Sequence, residues 1–498
     1  MIMYYLSTRN SNCKVTAAQA IAQGISREGG LFVPENLPKI SLDDISAMLG
    51  TSYNDKAKTV LSKFLTDFTE EELNYCVDSA YTDKKFDTAN ISEIAKVGEQ
   101  AYLLELWHGP TCAFKDMALQ LLPYLLTTSA KKTAPDKEIV VLVATSGDTG
   151  KAALEGFKDV PKTKMLVFYP EHGVSNMQKL QMTTQEGSNV SVCAIKGNFD
   201  DAQSGVKKIF TDPVIAEELK KNNQMFSSAN SINWGRLVPQ IVYYIAAYAT
   251  MVERDEIKLG DKVNVCVPTG NFGNILAAYY AKNMGLPIGK LICASNKNKV
   301  LTDFISTGVY DKNREFYATA SPSMDILISS NLERLLYDLC GRDDKVISDW
   351  FAKLSKDGKY QVGADVKAKL QSDFYGGFCD DGATRETIGE TFKKFGYLCD
   401  THTAVAVKVY NDYCAKTGDT TKTIIASTAS PYKFTENVLK SITKEQLPSD
   451  DFAQVEMLES LSKMTPPESL LALKNKKVRF NDSITKDQMV DKVKEMLQ

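Results

Sequence analysis

The sequence predicts an α/β protein in which mostly parallel sheets are flanked by helices, preceded by an N-terminal subdomain. Three observations carry this. Unbroken apolar runs rich in β-branched residues recur through the middle of the chain, and strands buried on both faces read this way. Helical periodicity follows several of these runs, the signature of strand–helix repetition. The length, 498 residues, suits about three domains and a core that needs no disulfide or metal to hold it.

Residues 1–95 form the expected N-terminal subdomain. Ala17–Gln23, Asp43–Leu49 and Lys56–Phe68 read as helices, and Gly29-Gly-Leu-Phe-Val-Pro34 as a turn entering an extended segment. Ile139–Ala144 reads as a strand followed by a helix over Lys151–Phe157. Met165–Tyr169 and Val190–Ile195 are further strands. Val263–Val267 is another, stopped by Pro268 and Gly270, with a helix from Asn274 to Met284. Leu291–Ala294 and Thr423–Ala426 complete the set. Leu237–Val252 is apolar but contains Pro239, Gln240 and several tyrosines. It is too short to span a bilayer and reads as a buried helix.

The charge balance is 59 − 62 = −3, so no overall basic field draws in nucleic acid. An anionic ligand must be held by local groups. The ten cysteines include no C-x-x-C pair and read as free thiols in a reducing compartment. His108, His172 and His402 are the only histidines, too few and too scattered for a histidine-rich zinc site. Met1–Arg9 lacks the basic-then-apolar layout of a signal peptide. A cytoplasmic protein with no metal, no membrane and no nucleic-acid partner is expected, with no signal for oligomeric state.

In parallel α/β sheets ligands bind where strands end and helices begin, and such junctions here are rich in small polar residues. Lys115 lies among Ala113, Phe114, Met117 and Ala118. If buried, its amine is desolvated, loses basicity and can attack a carbonyl to form a Schiff base. The alternative is an exposed lysine paired with Asp116. Thr145-Ser-Gly-Asp-Thr-Gly-Lys151 is not a P-loop, which needs Gly at 145 and Ser or Thr at 152. It still offers helix-terminal N–H groups to a carboxylate or phosphate, or else simply caps a helix. Thr269-Gly-Asn-Phe-Gly-Asn274 lets the backbone approach a phosphate, and Ser427-Thr-Ala-Ser-Pro431 supplies hydroxyls or forms a plain loop. Together a Schiff-base lysine, a phosphate cradle, an anion-binding turn and a hydroxyl donor suit pyridoxal phosphate and an amino-acid substrate.

The segment His108-Gly-Pro-Thr-Cys-Ala-Phe-Lys115-Asp resembles the pyridoxal-lysine motif of threonine synthases. Ser7–Arg9, Gly29–Glu35, Ala144–Gly150, Asn230–Arg236, Thr269–Asn274, Ser321–Asp325 with Asn331 and Arg334, and Ser427–Pro431 resemble the same family in order. The likeness is to its longer, fungal and enteric-bacterial type. It implies the tryptophan-synthase-β-like pyridoxal-enzyme fold, with a large cofactor domain (96–125 and 235–498) and a small domain (126–234). It implies a lyase that converts O-phospho-L-homoserine and water to L-threonine and phosphate by β,γ-elimination and replacement, the last step of threonine biosynthesis. Lys115 would hold pyridoxal 5'-phosphate. Gly270, Asn271, Phe272 and Asn274 would bind its phosphate and Thr428 its ring nitrogen, while Ser146, Asp148 and Thr149 would line the substrate site. Arg236, Lys179 and Arg334 are candidates for the substrate phosphate. The chain departs from the family pattern at Ser430, commonly His, and at Lys299-Val300, commonly Asp-Ile. A serine or threonine dehydratase of the same fold and a non-catalytic phospho-amino-acid binder are the alternatives.

Overall fold

Every apolar run singled out as a strand becomes one. The computed structural model describes residues 2–145, 147–172, 174–210 and 212–497. At the N-terminal end, β1 (Tyr5–Ser7), β2 (Asn10–Val15) and β3 (Phe32–Pro34) form an antiparallel sheet in the order β2-β1-β3. Four helices accompany it: Ala17–Gln23, Leu42–Met48, Tyr53–Ser62 and Glu70–Ala80. Each opens on a Ser or Thr whose hydroxyl takes the N3 amide while the N3 side chain returns the bond. These capping boxes start the helices where the sequence turns periodic.

The larger sheet contains β4 (Glu93–Val97), β5 (Ala101–Glu105), β10 (Val263–Pro268), β11 (Ile288–Ser295), β14 (Phe374–Phe378) and β15 (Thr423–Ser427). Its order is β14-β11-β10-β15-β5-β4. All neighbours run parallel except the edge strand β4. A fully parallel second sheet contains β6 (Glu138–Ala144), β7 (Thr163–Pro170), β8 (Val190–Ile195), β9 (Gln224–Ser227) and β16 (Ser483–Ile484), in the order β16-β8-β7-β6-β9. A short antiparallel pair, β12 (Val309–Asp311) with β13 (Lys359–Gln361), stands apart.

The last stretch differs from the expected 235–498 block. Strand β16 joins the five-stranded sheet, and Met489, Val493 and Leu497 from helix Met489–Leu497 pack against Val140, Leu142, Leu166 and Phe168. The physical cause is the apolar cluster on that sheet, shared with helices Phe199–Phe210 and Pro213–Lys221, which these side chains join and help to bury. Helix Trp234–Glu253 is buried along nearly its whole length, as its composition predicts. No helix of the described residues is long and apolar enough to cross a membrane. All ten cysteines are free, and most are buried.

Candidate active site

Because β5, β15 and β10 are parallel neighbours, their carboxyl ends lie side by side. The loops leaving them carry Lys115, Thr428 and the 269–274 turn. Hydrogen bonds continue past the sheet: Phe114 N donates to Thr428 O at 2.8 Å, Ser430 N donates to Cys112 O at 3.0 Å, and Ala113 bridges Ala429. Lys115 therefore stands directly beside Thr428's strand.

Lys115 is 9% exposed. Its Nζ donates to Ser323 Oγ at 3.2 Å and lies 3.7 Å from Asp148 Oδ2. Burial lowers its pKa below the ordinary lysine value; Asp148 opposes this, while Lys433 and Arg236 add to it. Asp116 is not its partner. That carboxylate is buried, accepts from Thr111 N and Oγ1 (both 2.8 Å), and is pushed up by burial to about 6. Of the two sequence readings of Lys115, the desolvated amine is the one observed.

Asp148 opens helix Asp148–Phe157 after β6. The turn before it is tightened by Thr145, whose hydroxyl accepts from Gly147 N (3.1 Å) and Gly150 N (2.9 Å). Gly147 has φ 143°, and a Cβ there would fall 2.5 Å from Gln178 Nε2, so only glycine fits. Asp148 Oδ1 accepts from Lys433 at 2.6 Å and from Gln178 Nε2 at 3.0 Å. Burial would raise its pKa, but Lys433 and Lys115 hold it well below the usual carboxylate range. Thr149 follows, half-buried. Ser146 lies outside the described residues.

In the 269–274 turn the positive φ falls on Phe272 (62°), not on either glycine. Its ring packs against Phe374, centroids 5.7 Å apart. Gly270 is required for another reason: a Cβ would meet the Ser323 carbonyl at 2.5 Å. Asn271's carbonyl is held by Asn331 N and Nδ2, at 3.1 and 3.0 Å. Helix Gly273–Met284 has no side-chain cap and no acidic residue in its first turn, which leaves its terminal amides without a side-chain acceptor. Asn274 accepts from Tyr244 OH, while its buried Nδ2 has no partner among the described residues. A Cβ on Gly273 would find only Asn331 Nδ2 (3.5 Å) and Gln240 Nε2 (3.7 Å). This is a donor-lined space at a helix N-terminus, which suits a phosphate. Thr428 is buried, and its hydroxyl has no hydrogen-bond partner among the described residues. A desolvated amine, a phosphate cradle and a waiting hydroxyl fit pyridoxal phosphate.

The three cations considered for the substrate phosphate separate. Arg334 is spent on structure, donating to Phe32 O, Ile232 O and Asn331 Oδ1. Lys179 is exposed on helix Asn176–Thr183. Buried Arg236 donates to Ala229 O at 2.7 Å, and its Nε has no partner among the described residues.

His108, though in the lysine motif, is engaged elsewhere: Nδ1 meets Asp87 Oδ1 at 2.6 Å and Nε2 meets Glu105 Oε2 at 2.9 Å. Burial opposes its charge, but the two carboxylates outweigh it and raise its pKa to about 9. The unfolded value is about 6.5, so this stabilisation is complete below pH 6.5 and disappears as pH rises through 9. The stability gap between wild type and His108→Gln is expected to be about 3 kcal/mol wider at pH 6 than at pH 10. Urea unfolding at both values checks this, and a gap independent of pH would remove the charged histidine from the account.

Several site residues carried no role in the sequence analysis. Lys433 sits in the short helix Pro431–Phe434, which Ser430 caps by accepting from Tyr432 N at 3.4 Å. That is what Ser430 does where the family commonly has His. Of the other departure, Val300 is fully buried and Lys299 pairs with Asp303 at 2.7 Å. Ser323 N donates to His402 Nε2 at 3.2 Å, and His402 Nδ1 faces Asp400 Oδ2 at 2.7 Å, which sets the tautomer.

Fold and site together define a pyridoxal-phosphate enzyme, and residues 87–364 match the family model described as pyridoxal-phosphate dependent enzyme. Residues 4–81 match the model for the threonine synthase N terminus, and 403–495 the one for the threonine synthase C-terminal region. The chain belongs to the threonine synthase family. It is 37% identical to a threonine synthase of Pseudomonas aeruginosa over 443 residues, 88% of this chain and 90% of that one. It is 38% identical to human threonine synthase-like 1 over 480 residues, 93% of this chain but 64% of the human protein; the chain spans under two thirds of that relative's length. The crystal structure of pyridoxal-phosphate-bound threonine synthase from Brucella melitensis superposes with a TM-score of 0.87 at 34% identity, covering all of both chains. The cofactor is pyridoxal 5'-phosphate.

Proposed function

We propose that this chain converts O-phospho-L-homoserine and water to L-threonine and phosphate, as a carbon–oxygen lyase acting on a phosphate ester, in the cytoplasm and as the last step of threonine biosynthesis. The observation that carries the reading is the placement of Lys115. Its amine is buried and low in basicity, and its loop bonds to the strand that carries Thr428. Ser323, which accepts from it, also closes over Gly270. Lys433 and Lys115 flank the Asp148 carboxylate and Arg236 acts on Lys115 from nearby, a local positive excess that supports an anionic substrate on a chain of net charge −3.

In this reading Lys115 holds the cofactor. Backbone amides of Gly270–Asn274 and the Asn274 amide bind its phosphate, and Thr428 faces the ring nitrogen. When bound, the cofactor supplies the electron sink that lets the substrate's α-proton leave. Lys115 takes and returns protons at the α- and β-carbons, which its lowered basicity and its single hydroxyl contact allow. Ser146, Asp148 and Thr149 line the substrate. Arg236 Nε is free to meet its phosphate. The decisive experiment is product analysis with purified protein, pyridoxal phosphate and phosphohomoserine, with serine and threonine alongside. Threonine and equimolar phosphate are expected; ammonia from serine or threonine instead would overturn the reading in favour of a dehydratase.

The two glycines should respond differently. Gly273→Val fills the donor-lined space without meeting backbone. It should weaken cofactor affinity at least about tenfold, about 1.4 kcal/mol, with little change in melting temperature. Gly270→Val strikes the Ser323 carbonyl and should cost both affinity and stability. Absorbance titration with melting curves checks this; undiminished affinity in Gly273→Val would place the phosphate elsewhere.

A further inference from the structure

Asp148 divides its two oxygens. Oδ1 accepts from Lys433 at 2.6 Å and from Gln178 at 3.0 Å, while Oδ2 stays 3.7 Å from Lys115 Nζ. Lys115 makes its hydrogen bond to Ser323 instead, at 3.2 Å. A buried carboxylate whose only cation was Lys115 would close onto it, because an unpaired charge in a poorly hydrated site is costly. The resulting ion pair would hold a proton on Nζ and take away its nucleophilicity. Lys433 prevents this. Its side chain is fully covered, and its second bond, to Thr111 O at 2.9 Å, anchors it independently of Asp148. It stands on the short helix directly after β15, whereas Asp148 opens the helix after β6. The pair thus crosses from one sheet to the other beside the reacting amine.

We propose that Lys433 is a positioning residue for the reaction at Lys115: it holds Asp148 back from the amine and fixes the helix of the five-stranded sheet against the cofactor side of the site. This rests on the reading that Lys115 carries the cofactor. The charged groups facing Lys115 are Asp148, Lys433 and Arg236; those facing Asp148 are Lys433 and Lys115, with Gln178 as a neutral donor. Removing Lys433 deletes a cation near the Lys115 nitrogen and gives Asp148 wholly to it, and both changes favour the protonated nitrogen.

The test is a pH titration of the bound cofactor's absorbance in holoenzyme, with kcat and KM profiles, for wild type, Lys433→Met, Lys433→Gln and Lys433→Arg. In Lys433→Met the absorbance midpoint is expected to move up by about one pH unit or more, with kcat at neutral pH falling more than KM changes. Lys433→Gln keeps a donor but no charge, and should move the same way should the Met variant fail to fold. Lys433→Arg should stay near wild type. Adding Asp148→Asn to Lys433→Met should bring the midpoint back below that of the single variant. An unshifted midpoint in folded neutral variants, whatever their activity or melting temperature, would reduce the pair to a structural tie and overturn the proposal. Borohydride labelling of wild type separates the two readings: a label on another lysine defeats the cofactor assignment, while a label on Lys115 with an unshifted midpoint defeats this inference alone.

Discussion

Lys115→Ala is expected to abolish the visible absorbance of the bound cofactor and to cut turnover by about 10⁴-fold or more, since covalent anchor and proton carrier are lost together. The fold should survive. Asp148 keeps Lys433 and Gln178 as partners, so no buried carboxylate is stranded, and the truncation removes a side chain whose one hydrogen bond among the described residues is to a serine. A melting temperature within a few degrees of wild type is the accompanying expectation. Borohydride reduction and peptide mapping of wild type should mark Lys115. A folded Lys115→Ala enzyme with measurable threonine formation would remove the residue from the chemistry.

Thr428→Asp is expected to lower threonine formation by about 10²-fold and to change the cofactor spectrum. A neutral hydroxyl at the ring nitrogen leaves that nitrogen largely unprotonated, whereas a carboxylate stabilises its protonated form. The ring would then withdraw charge that the β,γ-chemistry needs. The position is buried beside Thr403, whose hydroxyl accepts from Thr428 N at 3.3 Å, so some stability is lost as well. Thr428→Ser, which keeps the hydroxyl, should retain most activity with an unaltered spectrum. If the Asp variant folds with the wild-type spectrum and rate, Thr428 caps a loop and nothing more.

The parts of the fold that depend on local composition were legible. Val190–Ile195 and the helix Ala17–Gln23 appear with the bounds the sequence implies, one a continuous apolar run and the other a capped periodic one. Strands whose sequence is shaped by their neighbours were not. Phe374-Tyr-Gly-Gly-Phe378 has no continuous apolar run to mark it. It is a strand through its parallel pairing with β11, and it needs glycines because a Cβ at Gly377 would fall 2.6 Å from Val409 and one at Gly376 3.0 Å from Thr302 Cα, where the covering helices approach closely. In the same way Lys115 betrayed itself through its apolar neighbours. Lys433, in Pro-Tyr-Lys-Phe, offered a similar signal without a motif around it, and only the tertiary contact with Asp148 gives it a role. Ser323, through its hydroxyl and backbone, and His402, through its tautomer, meet the site only across the fold, which no residue pattern records. The glycines of the 269–274 turn marked it for close backbone approach, which Gly270 makes to the Ser323 carbonyl, while the left-handed conformation at Phe272 had no sequence signal.

The seat of β16 at the edge of the five-stranded sheet bears on how the molecule is made. That edge is finished by residues 483–484, nearly 290 positions after its neighbour β8, and the carbonyl of Leu497 is tied to Lys164 and Gln224. A ribosome delivering the chain from the N-terminal end must therefore release the whole intervening large sheet before the smaller one can close. Until then the apolar side chains of helices Phe199–Phe210 and Pro213–Lys221 that meet Met489, Val493 and Leu497 lack that cover, exposed to other nascent chains. Truncation before residue 480 should accordingly show itself as aggregation during expression, even though no residue assigned to the chemistry has been removed.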